Sequence, residues 1–217
     1  DLSAIGPDKT KERWQKHWDS ALTDEDIHFL VHEAKCTSIR LPIGYFTLGP
    51  AFCQGTPFEA AADVYVSAWT SVCNLVRRVN EAGIGVLLDL HALPGGANQD
   101  MHSGTDSGKA ELWEHWNTGR QNREMAKKVV LQVVSEAANM KGIVGVQIVN
   151  EAAAGAHKLH EWYDDVLREI QDIDSTMPIY VSDAWDLDGS LRWVESRRNR
   201  SGNPIVVDTH KDRKSVV

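Results

Sequence analysis

Long hydrophobic runs, cysteine and positive charge are all scarce in this sequence of 217 residues. No stretch approaches the roughly 18 consecutive apolar residues that a membrane-spanning helix needs, so no membrane span is expected. Lys and Arg number 23 against 31 Asp and Glu, and the formal net charge of −8 argues against nucleic acid as a partner. The first residues, Asp1 to Pro7, lack the basic and apolar regions of a signal peptide. The 42% hydrophobic and 25% charged fractions are those of an ordinary globular chain, which excludes bulk disorder.

Sequence signatures of bound metals and nucleotides are absent as well. Cys36, Cys53 and Cys73 are odd in number and have no CxxC spacing, so neither a zinc site nor a disulfide framework is expected. One disulfide beside one free thiol stays open. No GxGxxG or Walker sequence occurs, and we expect no cofactor. No low-complexity or proline-rich linker divides the chain, so residues 1–217 are expected to form one domain.

Short apolar segments alternate with amphipathic helical segments along the chain. The predicted strands cover residues 36–43, 84–90, 143–149, 179–182 and 205–209. The first predicted helix is capped by Thr23, and later ones cover residues 57–82, 122–138, 158–173 and 191–197. A glycine-rich loop covers residues 92–109. Strands that alternate with helices indicate right-handed parallel βαβ units, which either close as a barrel or open as a doubly wound sheet.

Polar residues at the carboxyl ends of these strands favour the barrel. Catalytic groups of TIM barrels lie at the carboxyl ends of several different strands. The residues in such positions here are Arg40, Asp89 with His91, Asn150 with Glu151, Asp183, and Asp208 with His210. A doubly wound nucleotide-binding sheet would instead have a glycine-rich turn after its first strand, and Arg-Leu-Pro-Ile-Gly at residues 40–44 is not one. The predicted fold class is therefore α/β, of the TIM (β/α)8 barrel type.

Glu151 is the residue that most directly indicates catalysis. It follows an apolar strand, where a carboxyl group faces the mouth of the barrel and can act as a general acid. The adjacent Asn150 can hydrogen-bond a substrate hydroxyl. The competing interpretation is a glutamate at a helix start, where the helix dipole favours it. His91 shares a face with Asp89, and Arg40 lies within an apolar strand, so we expect it to pair with a carboxylate.

Four segments in chain order carry a resemblance to a known family. They are Ile-Arg-Leu-Pro-Ile-Gly-Tyr at 39–45, Leu-Asp-Leu-His-Ala-Leu-Pro-Gly at 88–95, Val-Asn-Glu at 149–151 and Asp-Thr-His at 208–210. Together with His-Trp-Asp at 17–19, they resemble glycoside hydrolase family 5 (cellulase family A), and within it the fungal exo-β-1,3-glucanase branch. The resemblance implies retaining hydrolysis of a β-glucan, with two carboxylates about 5 Å apart.

The resemblance also implies roles for individual residues. Glu151 would be the acid/base, and Asn150 would contact the 2-hydroxyl of the sugar in the −1 subsite. Arg40 would help to position the nucleophile, while His91 and His210 would line the same subsite. Trp185 is the candidate for stacking on a glucose ring. Trp113 and Trp116 either serve the same purpose or pack on a helix face.

Two features depart from the family pattern. The nucleophilic glutamate of the family lies on the strand after the Asp-Thr-His segment and is not in this chain, and Asp212 stands where the family has a tyrosine. We therefore expect a truncated, incomplete barrel of about five parallel strands that lacks the first and the last two. Such a chain is expected to have little or no turnover and to self-associate through open sheet edges. Asp183 is a weaker candidate for a replacement nucleophile.

Two alternatives from other functional classes stay open. A metal-dependent barrel hydrolase or isomerase can use the same carboxylates and histidines at the strand ends. A truncated relative that binds glucan without catalysis is the other. The glucan linkage, exo or endo action and the compartment also stay open, because the resemblance implies an extracellular or cell-wall location whereas the lack of a signal peptide is compatible with the cytoplasm.

Overall fold

The computed structural model describes residues 2–197 and 202–210. Its five strands are β1 (Ser38–Gly44), β2 (Gly85–Ala92), β3 (Ile143–Gln147), β4 (Ile179–Ser182) and β5 (Ile205–Asp208). Its helices are α1 (Leu2–Ile5), α2 (Pro7–Asp19), α3 (Asp24–His32), α4 (Ala68–Glu81), α5 (Asn117–Ala137), α6 (Leu159–Ile173) and α7 (Leu187–Ser196). Among these described elements, no helix is both long and apolar enough to cross a membrane.

All five strands lie in one parallel sheet in the order β1-β2-β3-β4-β5. Each strand therefore pairs with its neighbour in sequence, and a helix connects every pair. The order does not reverse, as it must in a doubly wound sheet. Within the described residues, β1 and β5 each pair on one side only, so the sheet is an open segment of a barrel, and the prediction of about five parallel strands is confirmed.

The core lies between the outer face of the sheet and the helices. On β2, Val86, Leu88 and Leu90 are fully buried and point towards the helices. The helices supply apolar stripes with helical spacing, as amphipathic helices do. The buried residues of these stripes include Val72, Val76 and Val79 on α4, Val129 and Val133 on α5, and Tyr163, Val166 and Ile170 on α6.

The opposite, inner face of the sheet is polar towards the carboxyl ends of its strands. Asp89 is the register partner of Gln147, and Asp208 is the register partner of Ser182 on the neighbouring strand. Two apolar side chains lower on the sheet are partly open to solvent, Val144 with 40% and Val206 with 37% of its surface exposed. Parallel sheets are normally covered on both faces, so this exposed inner face follows from the open barrel.

Several helix boundaries differ from the sequence prediction. Helix α2 was not predicted, because the only large apolar side chains in its charged sequence are Trp14 and Trp18. The helix predicted over residues 57–82 begins only at Ala68, and a 3-10 segment, Glu59–Tyr65, precedes it. The reason is tertiary, since Phe46 stacks on Phe58 with ring centroids 4.1 Å apart and contacts Tyr65 at 4.9 Å. Helices α5 and α7 begin five and four residues earlier than predicted.

Two local predictions can be compared directly with the structure. Thr23 caps α3, since its hydroxyl accepts from the Asp26 amide at 3.1 Å and the Asp26 carboxylate accepts from the Thr23 amide at 2.9 Å. All three cysteines are free thiols, so the disulfide that the sequence left open is not formed. Burial raises the pKa of Cys53 to about 11, which makes it unreactive at neutral pH.

Candidate active site

Glu151 lies just beyond β3 at the carboxyl edge of the sheet. Its backbone has a φ of 44°, a left-handed conformation that is uncommon outside glycine and often found at functional sites. Its side chain is 27% exposed. Oε1 lies 2.6 Å from Nδ1 of His210, and Oε2 lies 3.6 Å from Nε2 of His102. The carboxyl group therefore stands between two imidazole rings and remains open to a ligand.

His210 connects Glu151 to the last strand. Its Nε2 lies 3.0 Å from Oδ2 of Asp208, so one ring bridges two carboxylates. Burial of the ring opposes protonation, but the hydrogen bond to Glu151 and the charges of both carboxylates outweigh it. The pKa of His210 therefore lies above its ordinary value of 6.5.

Arg40 meets the carboxylate partner that the sequence predicted. Its Nη2 lies 3.2 Å from Oδ2 of Asp89 and 3.8 Å from Oδ2 of Asp208. The same nitrogen donates to Oδ1 of Asn150 at 2.7 Å. Three strands thus converge on one guanidinium group, and Arg40 orients the amide of Asn150.

His91 and Asp89 share a face of β2, as the two-residue period predicted. Nδ1 of His91 lies 2.7 Å from Oδ2 of Asp89, and Nε2 lies 3.4 Å from Nδ2 of Asn150. With the Nδ1 proton on the Asp89 side, Nε2 is free to accept from the Asn150 amide. Both ends of that amide are then oriented, one by Arg40 and the other by His91.

Two further site residues were missed by the sequence interpretation. Gln147 donates to Oδ2 of Asp208 at 2.8 Å and is 1% exposed. A glutamine inside an apolar strand was a usable signal, because a buried polar side chain needs a partner. His102 lies in the glycine-rich loop, where the sequence offers no periodicity, and only the tertiary structure brings it to Glu151. Oδ1 of Asp89 and Oε1 of Gln147 are buried without a hydrogen-bond partner among the described residues.

Trp185 follows β4 and lies outside the hydrogen-bonded network that the described residues form around Glu151. It is 50% exposed, and its backbone is left-handed with a φ of 64°, as is that of Ala184 with a φ of 49°. Oδ1 of Asp183 accepts from the Trp185 amide at 3.0 Å, which gives Asp183 a structural role in this turn. The strained turn presents a large aromatic surface at the carboxyl edge of the sheet.

The other two tryptophans differ from each other. Trp113 is 5% exposed, donates to the Ala97 carbonyl at 2.9 Å and packs edge-on against Trp162. This is the packing interpretation, so Trp113 offers no face to a sugar. Trp116 is 80% exposed at the start of α5.

Two points concern the metal-dependent alternative and the departure from the family pattern. In the part of the chain that the structure describes, no group of three or more His, Cys, Asp or Glu residues is arranged to hold a metal ion. Asp212, the residue in the family's tyrosine position, lies outside the described residues.

Comparisons with known proteins place these residues in a family. Residues 6–214 match the family described as Cellulase (glycosyl hydrolase family 5). The chain is 33% identical over 210 residues to glucan 1,3-beta-glucosidase 3 of Schizosaccharomyces pombe. The aligned region covers 96% of this chain and 43% of the relative. It is 28% identical over 216 residues to the probable glucan 1,3-beta-glucosidase A of Neosartorya fischeri. That aligned region covers 96% of this chain and 46% of the relative.

Solved structures support the same fold. Endo-glycoceramidase II from Rhodococcus sp. superimposes with a TM-score of 0.53 at 17% identity, over 74% of this chain and 44% of that one. An endocellulase from Pyrococcus horikoshii superimposes with a TM-score of 0.50 at 16% identity, over 76% and 44%. The open five-stranded parallel sheet is therefore an incomplete TIM barrel.

The chain spans less than half the length of these relatives. The match nevertheless covers nearly all of the chain itself, including every strand of the sheet and the residues around Glu151. The chain belongs to glycoside hydrolase family 5.

Proposed function

We propose that this chain supplies the acid/base side of a retaining β-glucan hydrolase, with β-1,3-glucan as the favoured substrate. The observation that carries the proposal is the carboxyl group of Glu151, which is held through Oε1 by His210 at the open mouth of the sheet. The two fungal relatives described above are named as glucan 1,3-beta-glucosidases, which supports the choice of substrate.

Glu151 acts in both halves of a retaining reaction. In the first half its proton passes to the glycosidic oxygen as the bond from that oxygen to the anomeric carbon breaks and a carboxylate nucleophile forms the glycosyl-enzyme. In the second half the Glu151 carboxylate takes a proton from the water that attacks the anomeric carbon and releases the nucleophile. His210 keeps the carboxyl group in place for both steps.

The neighbouring side chains bind and orient the sugar. Arg40 and His91 hold the Asn150 amide from both ends, so it is preorganised to hydrogen-bond the 2-hydroxyl of the sugar in the −1 subsite. His91 and His210 line that subsite. Trp185 offers an exposed indole face on which a glucose ring can stack.

We expect the 217 residues alone to bind glucan with little turnover. A retaining mechanism needs a second carboxylate as nucleophile. Asp89, Asp183 and Asp208 lie at strand ends, but each already accepts hydrogen bonds from neighbouring protein groups. We therefore expect the isolated chain to bind glucan without hydrolysing it.

Calorimetric titration with laminaritriose tests the binding. We expect Trp185→Ala to weaken it about two- to twelvefold, because an aromatic contact contributes about 0.5–1.5 kcal/mol beyond its buried area. Phe29→Ala is the matched control, since Phe29 is an exposed aromatic residue on α3, with 57% of its surface exposed. No binding by the wild type, or equal binding by the Trp185 variant, would count against the proposal.

Release of glucose from laminarin tests the expected low turnover. A rate near that of a full-length relative would show that another carboxylate of the chain replaces the nucleophile. The Asp89→Asn, Asp183→Asn and Asp208→Asn variants would then test the three strand-end candidates. Metal analysis of the purified protein addresses the alternative class. Stoichiometric zinc or manganese together with metal-dependent activity would replace the glycosidase proposal.

A further inference from the structure

The two oxygens of the Glu151 carboxyl group have different surroundings. Oε1 is engaged by His210 at 2.6 Å, which is a short, charge-assisted contact. Oε2 faces His102 at 3.6 Å, a distance for charge attraction rather than for a formed hydrogen bond. Because Oε1 is occupied, Oε2 is the oxygen available to exchange a proton with a substrate.

We infer that His102 is a positioning residue for Glu151, and that it holds Oε2 in place for proton transfer. The inference rests on the proposed function, because it assigns a partner to the acid/base of that reaction. His102 acts through Glu151 and needs no contact with the sugar. After the proton leaves Oε2 for the glycosidic oxygen, a proton on Nε2 of His102 stabilises the resulting carboxylate.

The backbone around His102 is fixed on both sides. The Ser103 hydroxyl lies 2.7 Å from the Asp100 carbonyl and 3.0 Å from the Asn98 carbonyl, and the Leu93 amide donates to the Ser103 carbonyl at 2.9 Å. Ser103 is fully buried. The imidazole of His102 is therefore carried by a rigid turn, although the ring itself is 39% exposed.

The same loop is joined directly to the segment that carries Glu151. The Asn98 side chain donates to the Glu151 carbonyl at 2.9 Å, and the Ala153 amide donates to the Ala97 carbonyl at 2.9 Å. These bonds connect Glu151 and the residues that follow it to the loop. The distance between His102 and Oε2 is thus set by a hydrogen-bonded frame and not by two independent loops.

Among the residues that the structure describes, three groups face the His102 ring, each from a different element. Asp100 of its own loop places Oδ2 3.6 Å from Nε2, Glu151 beyond β3 places Oε2 at the same distance, and the His91 ring of β2 lies 4.9 Å away between centroids. His91 cannot take the same role, because its nitrogens already face Asp89 and Asn150. Catalytic contacts that are long without substrate often tighten when substrate binds.

Nuclear magnetic resonance of the full 217-residue chain without substrate tests the contact. In Glu151→Gln we expect the Nε2 resonance of His102 to shift, because the carboxyl group that faces this nitrogen at 3.6 Å is replaced by an amide. Glu161→Gln on α6 is the matched control, since Glu161 is 73% exposed, and it should leave that resonance unchanged. An unchanged His102 resonance in Glu151→Gln would overturn the inference.

A second pair of variants separates positioning from a merely structural role. His102→Gln keeps an N–H donor within reach of Oε2, whereas His102→Ala removes it. We expect the carboxyl carbon resonance of Glu151 to change in His102→Ala and to return towards the wild-type value in His102→Gln. Equal changes in both variants would contradict positioning by the donor.

This inference and the proposed function can fail separately. The resonance measurements need neither substrate nor turnover, whereas laminaritriose titration tests glucan binding. If laminaritriose binds but the resonances of His102 and Glu151 do not respond to substitution of the other residue, only the role of His102 is overturned. If the resonances respond as expected but the chain binds no oligosaccharide, the contact between His102 and Glu151 exists. The reaction to which we assign it is then lost, so the positioning role and the proposed function are both overturned.

Discussion

At the scale of single residues, the site is a set of polar side chains that pair with one another on the inner face of the sheet, although Oδ1 of Asp89 has no hydrogen-bond partner among the described residues. Arg40, Asp89, Asn150 and Asp208 come from four different strands or strand ends, yet each contacts at least one of the others. A buried polar group without a partner is strongly destabilising, so this mutual pairing is what permits a polar cluster in the interior. The cluster orients Asn150 and His210, which adjoin Glu151.

A stability measurement as a function of pH tests the electrostatics of His210. Its pKa is raised in the folded protein, so its contribution to stability is fully present below the ordinary value of 6.5 and is lost as the pH rises through the raised value. As the pH rises from 6.5 through the raised pKa, we expect the free energy of unfolding of the wild type, measured in urea, to fall relative to that of His210→Gln. His28→Gln, at an exposed position on α3, is the control. A constant difference between wild type and His210→Gln at every pH would contradict the assignment.

At the scale of elements, the loop after β2 has no sequence periodicity from which its conformation could be predicted, yet it carries two residues that contact Glu151. It carries His102 and Asn98 and is closed by Gly104, whose φ is 115°. The hydroxyl of Tyr45 donates to the Gly104 carbonyl at 3.3 Å, so the loop is also tied to the end of β1. The geometry of this loop therefore determines where His102 stands relative to Glu151.

Substitution of the loop glycines tests this role. A Cβ at Gly104 would lie 2.6 Å from the Leu93 carbonyl oxygen, whereas a Cβ at Gly108, with a φ of 70°, would meet nothing within 4 Å. We expect Gly104→Ala to lower the free energy of unfolding by about 2 kcal/mol more than Gly108→Ala, because only the first adds a backbone clash to the conformational strain. Urea unfolding of both variants measures the difference, and equal losses would mean that the loop can shift freely.

At the scale of the whole molecule, the open sheet leaves backbone groups and apolar surface unpaired. The outer edges of β1 and β5 have no strand partner among the described residues, and Val206 on β5 is exposed. Edges of this kind pair readily with another chain. We therefore propose that the isolated chain self-associates, and that its stability depends on protein concentration.

Sedimentation velocity over a range of concentrations tests self-association. We expect Val206→Lys to shift the chain towards monomer, because a lysine on an edge strand opposes pairing with a second edge. Val144→Lys is the matched control, since Val144 is similarly exposed but lies on the central strand β3. A wild type that stays monomeric at all concentrations would contradict the proposal. Equal effects of both variants would assign the contact to the face of the sheet instead of its edge.

The sequence determined the order and type of the strands, because short apolar runs between amphipathic helices have few other ways to be buried. It also predicted that Glu151, Asn150, Arg40, His91 and His210 lie together, since polar residues at the ends of apolar strands converge at one edge of a parallel sheet. The structure brings these side chains together, and their roles in catalysis and binding remain proposals. The pairing of Arg40 with a carboxylate followed from the cost of burying an unpaired charge.

Only the tertiary structure decided which groups touch. The distance from His102 to Glu151 depends on a loop without periodicity, which is held by bonds between residues far apart in the chain, such as Asn98 and Glu151. The shortening of the predicted helix at residues 57–82 has the same origin, because Phe58 and Tyr65 pack on Phe46. Local pattern specifies elements, whereas contacts between distant residues set the geometry on which the proposed chemistry depends.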